Sequence, residues 1–139
     1  MKKQKARNYV AVLFIAADDK ILLSPDGDKL TLPARMSMAE PMIVVSQFCE
    51  IFDIFSSERG SRSSMLDIEE EDGVSAQYRI VWVKVKHSES RFLRQSRWRH
   101  FSELGDLDLS PVVRLAIAQA VTDGAMPDLA ELTPLAEAA

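Results

Sequence analysis

Glu50 and Asp53 are the residues in this chain whose type and spacing could do chemistry. They stand three apart inside a long apolar stretch that follows a Leu-Pro pair, in residues 32–57. Read as a helix beginning at about Glu40, the stretch places Val44, Phe48, Ile51 and Phe55 at i, i+4, i+7 and i+11, the spacing of one buried face. Ser46, Glu50, Asp53 and Ser57 repeat that spacing on the opposite face. Two acids leaving consecutive turns in one direction can hold a hard cation such as Mg²⁺ through oxygen ligands. An acidic pair of this spacing is equally what a solvated helix surface carries.

A second set of candidates is basic. Arg91, Arg94, Arg97, Arg99 and His100 cluster in sequence, and guanidinium forks match phosphate oxygens. The alternative is a solvated rim that balances the acidic segment 65–71. His87 and His100 are too far apart, and lack cysteine partners, for a zinc site. Cys49, the single cysteine, excludes an intrachain disulfide, and its place on the helix makes it a small core residue rather than a nucleophile. Trp82 and Trp98 sit in alternating segments and read as core rather than as base-stacking platforms. The sequence holds no glycine-rich phosphate loop, nucleophile elbow or zinc-protease helix.

The elements that must position these residues follow from hydrophobic period and turn chemistry. Residues 9–17 form a strand buried on both faces, Asp18-Asp19 turns it, and residues 20–24 return. Residues 25–28, Pro-Asp-Gly-Asp, make a turn into a third short strand over 30–32. After the helix, 56–64 reads as an exposed loop. The segment 65–71, an Asp72-Gly73 hairpin signal and the alternating strand 78–86 follow. A short strand over 96–101 and a helical turn at Ser102 lead to a last helix, capped by Ser110, opened by Pro111 and stopped by Gly124.

With 139 residues and 47% hydrophobic content, the chain fits one domain over 9–124, between a basic arm at 1–8 and a tail at 125–139 that is either loosely ordered or packs a short helix at 128–132. The net charge of −4 speaks against a general nucleic-acid binder. The basic start and apolar run up to residue 17 could be mistaken for a leader. However, Asp18, Asp19 and Lys20 come too soon for a membrane span of about 20 apolar residues. A cytoplasmic protein without membrane or nucleic-acid partners is the expectation.

The order of these elements, with Arg97-Trp98 followed by Ser102-Glu103-Leu104 and a closing helix, resembles the Nudix hydrolase (MutT-like) family over about residues 9–121. The family box lies without gaps on residues 35–57, in eroded form. Arg35 stands for the glycine, Pro41 for the first glutamate with Glu40 beside it, and Cys49 for the arginine. Glu50 matches the next glutamate, Asp53 replaces another, Ile54 takes the place of the last metal-binding glutamate, and Ser56 that of the second glycine. The resemblance implies an α/β (α+β) fold, an αβα sandwich with a mixed central sheet. In a working member it also implies cleavage of a nucleoside diphosphate linked to another group, with Mg²⁺ held by the box carboxylates.

Loss of the acid at Ile54 removes a ligand charge, and loss of the arginine at Cys49 removes a bidentate fork. The apolar surface gained at Cys49, Phe52 and Ile54 is expected to be covered. The resulting expectation is a weak or inactive hydrolase that binds a nucleotide-like ligand or a protein partner. Glu50 and Asp53 are its residual catalytic and metal-binding acids, and Arg35, Glu40, Arg97 and Arg99 contact the ligand. No cofactor is expected, or Mg²⁺ if activity remains. The alternatives are a divergent Mg²⁺-dependent pyrophosphohydrolase that recruits Glu40 or an acid from 67–72, and a homodimeric interaction module.

Overall fold

The first apolar run of the sequence becomes the axis of the sheet. In the computed structural model, which describes residues 7–54, 56–58, 64–69, 73–86, 88 and 95–128, strand β1 (Arg7–Ala16) lies parallel to β7 (Ser75–Val85) along its whole length. A parallel pair needs cover on both faces. Val10, Val12 and Phe14 go to one core and Ala11, Leu13 and Ile15 to the other. The free edge of β1 is shared by β2 (Lys20–Asp26) at one end and β4 (Ala34–Met36) at the other, both antiparallel. β2 carries β3 (Lys29–Thr31) and β8 (Arg97–His100), while β5 (Ser56–Glu58) and β6 (Ser64–Glu69) pair with the far edge of β7.

Two helices close the sandwich. α1 (Pro41–Phe52) lays Val44, Val45, Phe48 and Phe52 on Val10, Val12, Phe14, Leu22 and the odd-numbered valines of β7. On the other face, α2 (Pro111–Thr122) lays Val112, Val113, Ala116, Ile117 and Ala120 on Leu13, Ile15, Ile21 and Ile80. This is an αβα sandwich around a mixed sheet. Among the described residues no helix is long and apolar enough to cross a membrane.

Several details depart from the sequence-based expectation. β1 begins at Arg7, inside the expected arm, and Ala125 and Met126, placed in the tail, are buried beside α2. The third strand is Lys29–Thr31, so Leu32 is not a strand residue but a buried one. β4 has no counterpart in the expected elements. Neither has β5, which forms inside the segment read as a loop; residues 59–63 lie outside the described residues, as does the helix expected at 128–132 beyond Asp128. The hairpin signal at Asp72-Gly73 corresponds to the β6–β7 pair, with Glu69 opposite Ser75 and Gly73 at φ 78°. Ser110 does occupy the N-cap of α2, but its hydroxyl donates to Thr31 Oγ1 at 3.1 Å instead of accepting a helix N–H.

Candidate functional site: the α1 face

Proline at the first helical position starts α1, and Glu40 holds its N-cap in extended geometry without a side-chain cap bond. The other end decides the site. Asp53 takes the left-handed conformation at φ 55°, its N–H directed to the Glu50 carbonyl at 3.4 Å, and the Ile54 N–H bonds the Cys49 carbonyl at 2.9 Å. These contacts, spanning three and five residues, form a Schellman motif. The residue after its left-handed position characteristically packs back on the last helical turns. Ile54 does so: it is 6% exposed and shares a core with Phe48, Phe52 and Cys49.

The expected presentation of two acids from consecutive helical turns is therefore corrected. Glu50 is exposed on the last turn of α1, while Asp53 lies beyond the helix, exposed, with its side chain directed by a left-handed backbone. The buried face is also phased differently: Ile51, expected inside, is 44% exposed, and Phe52 takes its place. Phe55 lies outside the described residues. The apolar surface expected around Phe52 and Ile54 is already internal. Among the described residues the exposed large apolar side chains are instead Met36, Met38, Ile43 and Ile51.

Arg35 sits on β4 opposite Val10, on the α1 side of the sheet, and its Nη1 donates to Gln47 Oε1 of the helix at 2.9 Å. Arg79, which the sequence motifs do not single out, flanks Val10 from β7 and donates through Nη2 to the Ser37 carbonyl at 2.9 Å. Both guanidinium groups thus lie on one face, two strand spacings or about 10 Å apart at the backbone, and both donate to neutral oxygens. The signal available in the sequence was the alternation of the 78–86 strand, which puts Arg79 on the side of Val81 and Val83.

Arg97 and Arg99 do not join this group. They pair across β8–β2 with Leu23 and Ile21, residues of the α2-side core, so the thickness of the sheet separates them from Glu50. Arg97 Nη1 donates to the Ser96 carbonyl, and Arg99 reaches Glu103 at 4.0 Å with its Nε buried and unbonded. Arg91 and Arg94 lie outside the described residues. His100 acts locally. Its Nδ1 accepts the Ser102 N–H while Glu103 accepts the His100 N–H, capping the 3-10 helix Phe101–Asp106. Cys49 is half-buried, and burial pushes its thiol above the ordinary range, away from the nucleophilic thiolate form.

A cation-dependent hydrolase needs several carboxylates converging on the metal. Among the described residues no three His, Cys, Asp or Glu side chains come together in that way. Asp67, a further candidate acid from the sequence, is exposed on β6 opposite Gln77, and Glu40 is exposed at the far end of α1. Glu70, Glu71 and Asp72 of the same segment lie outside the described residues, and the described acids Glu40, Glu50, Asp53 and Asp67 do not form a Mg²⁺ cage among themselves.

This architecture, with a helix after a Leu-Pro loop on one face of a mixed sheet and the closing helix on the other, is the Nudix hydrolase fold. The Nudix domain of Shewanella oneidensis NrtR, complexed with ADP ribose, superposes at a TM-score of 0.67, covering 86% of this chain and 90% of that one at 10% identity. A MutT Nudix hydrolase from Burkholderia pseudomallei does so at 0.61, covering 84% and 98% at 18% identity. The C-terminal domain of mouse MUTYH, in complex with human PCNA, gives 0.59, covering 93% and 97% at 9% identity. No family model matches the sequence, and no curated protein does.

Proposed function

We propose that this chain is a Nudix-fold binding protein without ordinary Mg²⁺-dependent hydrolysis, and that its ligand is nucleotide-like with a diphosphate gripped by Arg35 and Arg79. The observation that carries the reading is Ile54. Where the box resemblance calls for a metal-binding acid, an aliphatic side chain closes the helix and packs in the core. With an aliphatic residue in the acid's place and Arg35 in that of the first glycine, direct charge-assisted hydrogen bonds from guanidinium groups take over from metal-mediated charge neutralisation. The complex of the NrtR Nudix domain with ADP ribose supports a ligand of this class. Glu50, Asp53 and Glu40 then border the site without forming a catalytic set, and a cytoplasmic setting belongs to the same proposal.

The test is a calorimetric titration with ADP-ribose in EDTA and again in Mg²⁺, with chromatography for released AMP. Binding that is insensitive to Mg²⁺, weakened at least about tenfold by Arg79→Ala, and unaccompanied by product is the expected result. Mg²⁺-dependent turnover abolished by Glu50→Gln would overturn the proposal.

A second reading has its own observation. Met36, Met38, Ile43 and Ile51 are large apolar side chains left exposed around β4 and α1, the kind of surface that marks a protein contact. The MUTYH domain bound to PCNA supports protein recognition by this fold. Sedimentation that stays monomeric at all concentrations would remove the homodimeric form of this reading.

A further inference from the structure

The α2 face holds a cleft of about 520 Å³ where β1 and β7 end. It lies across the sheet from α1, at the opposite end of β1 from Arg35 and Arg79. We infer that this cleft binds a small zwitterion with an apolar side chain, of the class of the apolar free amino acids.

Three observations lead there. β1 and β7 are parallel neighbours, and both carboxyl ends open into the cleft through Ala16 and Val85, the position at which parallel strands offer ligands a crevice. The volume falls in the range of small-molecule sites, and Ile15, Phe101 and Met126 contribute an apolar part of the wall. The surrounding amide N–H groups are already engaged. Ala17 N–H bonds the Val85 carbonyl at 3.2 Å, Phe101 N–H the Asp19 carbonyl at 2.9 Å, and Ala125 N–H the Ala120 carbonyl at 2.8 Å.

The charged groups that line the cleft are two side chains, Lys84 and Asp19. Neither side chain makes a hydrogen bond or ion pair among the described residues, and no bridge joins them to each other. Lys84 is half-buried beside the apolar floor, and the Asp19 carboxylate stands on a left-handed turn at φ 62°. A simple anion would satisfy Lys84 and be repelled by Asp19; a simple cation would meet the reverse. A zwitterion satisfies both, and its side chain takes the apolar walls.

The experiment is a proton-nitrogen NMR titration of the full chain with L-phenylalanine, N-acetyl-L-phenylalanine and L-phenylalaninamide. The expected result is saturable shifts at the Ala17, Gly124, Ala125 and Met126 amides with the free amino acid. Each derivative, lacking one charge, should bind at least about tenfold more weakly. Lys84→Met should erase the preference over the amide and Asp19→Asn the preference over the N-acetyl derivative; asparagine tolerates the left-handed backbone, so the turn survives. Glu58 is the register partner of Lys84 on β5, and both preferences should persist in Glu58→Gln. Absence of saturable shifts up to about 20 mM, well beyond a millimolar dissociation constant, overturns the inference. So do shifts indifferent to the charges on the probe or to the Lys84 and Asp19 substitutions.

Discussion

Replacing Ile54 by glutamate restores the acid that the box resemblance lacks, and it separates two pictures of this helix end. If position 54 faces a cleft, the variant gains a metal ligand; if it faces the core, the variant loses stability. The structure puts Ile54 at 6% exposure among Phe48, Phe52 and the β7 valines. Losing the buried side chain costs roughly 1.5–3 kcal/mol. A carboxyl in the same place must either ionise without a partner or stay protonated. Raising its pKa by about two to three units adds about 2.5–3.5 kcal/mol at pH 7, at 1.36 kcal/mol per unit over the span above the unfolded value of about 4.3.

The total, roughly 4–7 kcal/mol, approaches the whole stability of an ordinary domain. The sign with pH is specific. The folded pKa is raised, so the folded state holds a proton that the unfolded state releases above about pH 4.3, and stability falls as pH rises through that value toward the folded pKa. Urea unfolding of Ile54→Glu beside Ile54→Ala, from pH 4.5 to 7.5, reads this directly. The alanine variant should lose about 2–4 kcal/mol uniformly, while the glutamate variant falls further behind it as pH rises. A glutamate variant as stable as the alanine one at pH 7.5, with Mg²⁺ binding at millimolar concentration, would refute the placement of Ile54.

Asp53→Gly should leave the fold intact and raise stability by about 0.5–1 kcal/mol, because the left-handed position costs a non-glycine residue about that much or more; thermal unfolding checks it, and loss of stability would count against the Schellman ending. Trp82→Phe removes the donor of a 2.7 Å bond from Nε1 to Asp123 Oδ2, a carboxylate also held by Gln119 Nε2 at 3.1 Å. A loss of about 1.5–3 kcal/mol in denaturant titration is expected for a hydrogen bond to a charged group. Asp18 is held below its ordinary value of 3.8, chiefly by the Ser88 hydroxyl and further by Lys20, against a smaller cost of desolvation. A depressed folded pKa stabilises above the ordinary value and is lost as pH falls through the folded one, so Ser88→Ala should move the Asp18 carbon-13 titration midpoint up toward 3.8.

The parts of the fold that could be read from the sequence are those where burial leaves one solution. β1 is apolar on both faces because α1 and α2 cover both, and β7 alternates strongly enough for its register to be unambiguous. Pro111 and Gly124 mark α2 because each suits a backbone geometry found at a helix end. β4 carried no such mark: its three residues are all exposed, and it exists because β1 has an unfilled edge beside β2. The phase of α1 was ambiguous for the opposite reason. Met42, Ile43, Val44, Val45, Phe48, Cys49, Ile51 and Phe52 give several arcs of comparable hydrophobicity, and the sheet, not the helix, selects Phe52 over Ile51.

The same distinction explains the site. Arg97 and Arg99 are near one another in sequence, but their face is set by pairing with Leu23 and Ile21, information that exists only once β8 docks on β2. Arg79 lies on the opposite face, and its alternation with Ile80 shows that strand period is the better guide where it is continuous. The Schellman ending was the least legible feature, although Phe48, Cys49, Asp53 and Ile54 have its residue types: two apolar residues on the last turns, a residue tolerant of positive φ, and an apolar residue after it. Asp53 therefore has a local reason to be an acid or an asparagine that does not involve metal, and Ile54 a local reason to be aliphatic. In the binding reading proposed above, both positions serve the helix ending rather than a metal, on the same sheet face as Arg35 and Arg79.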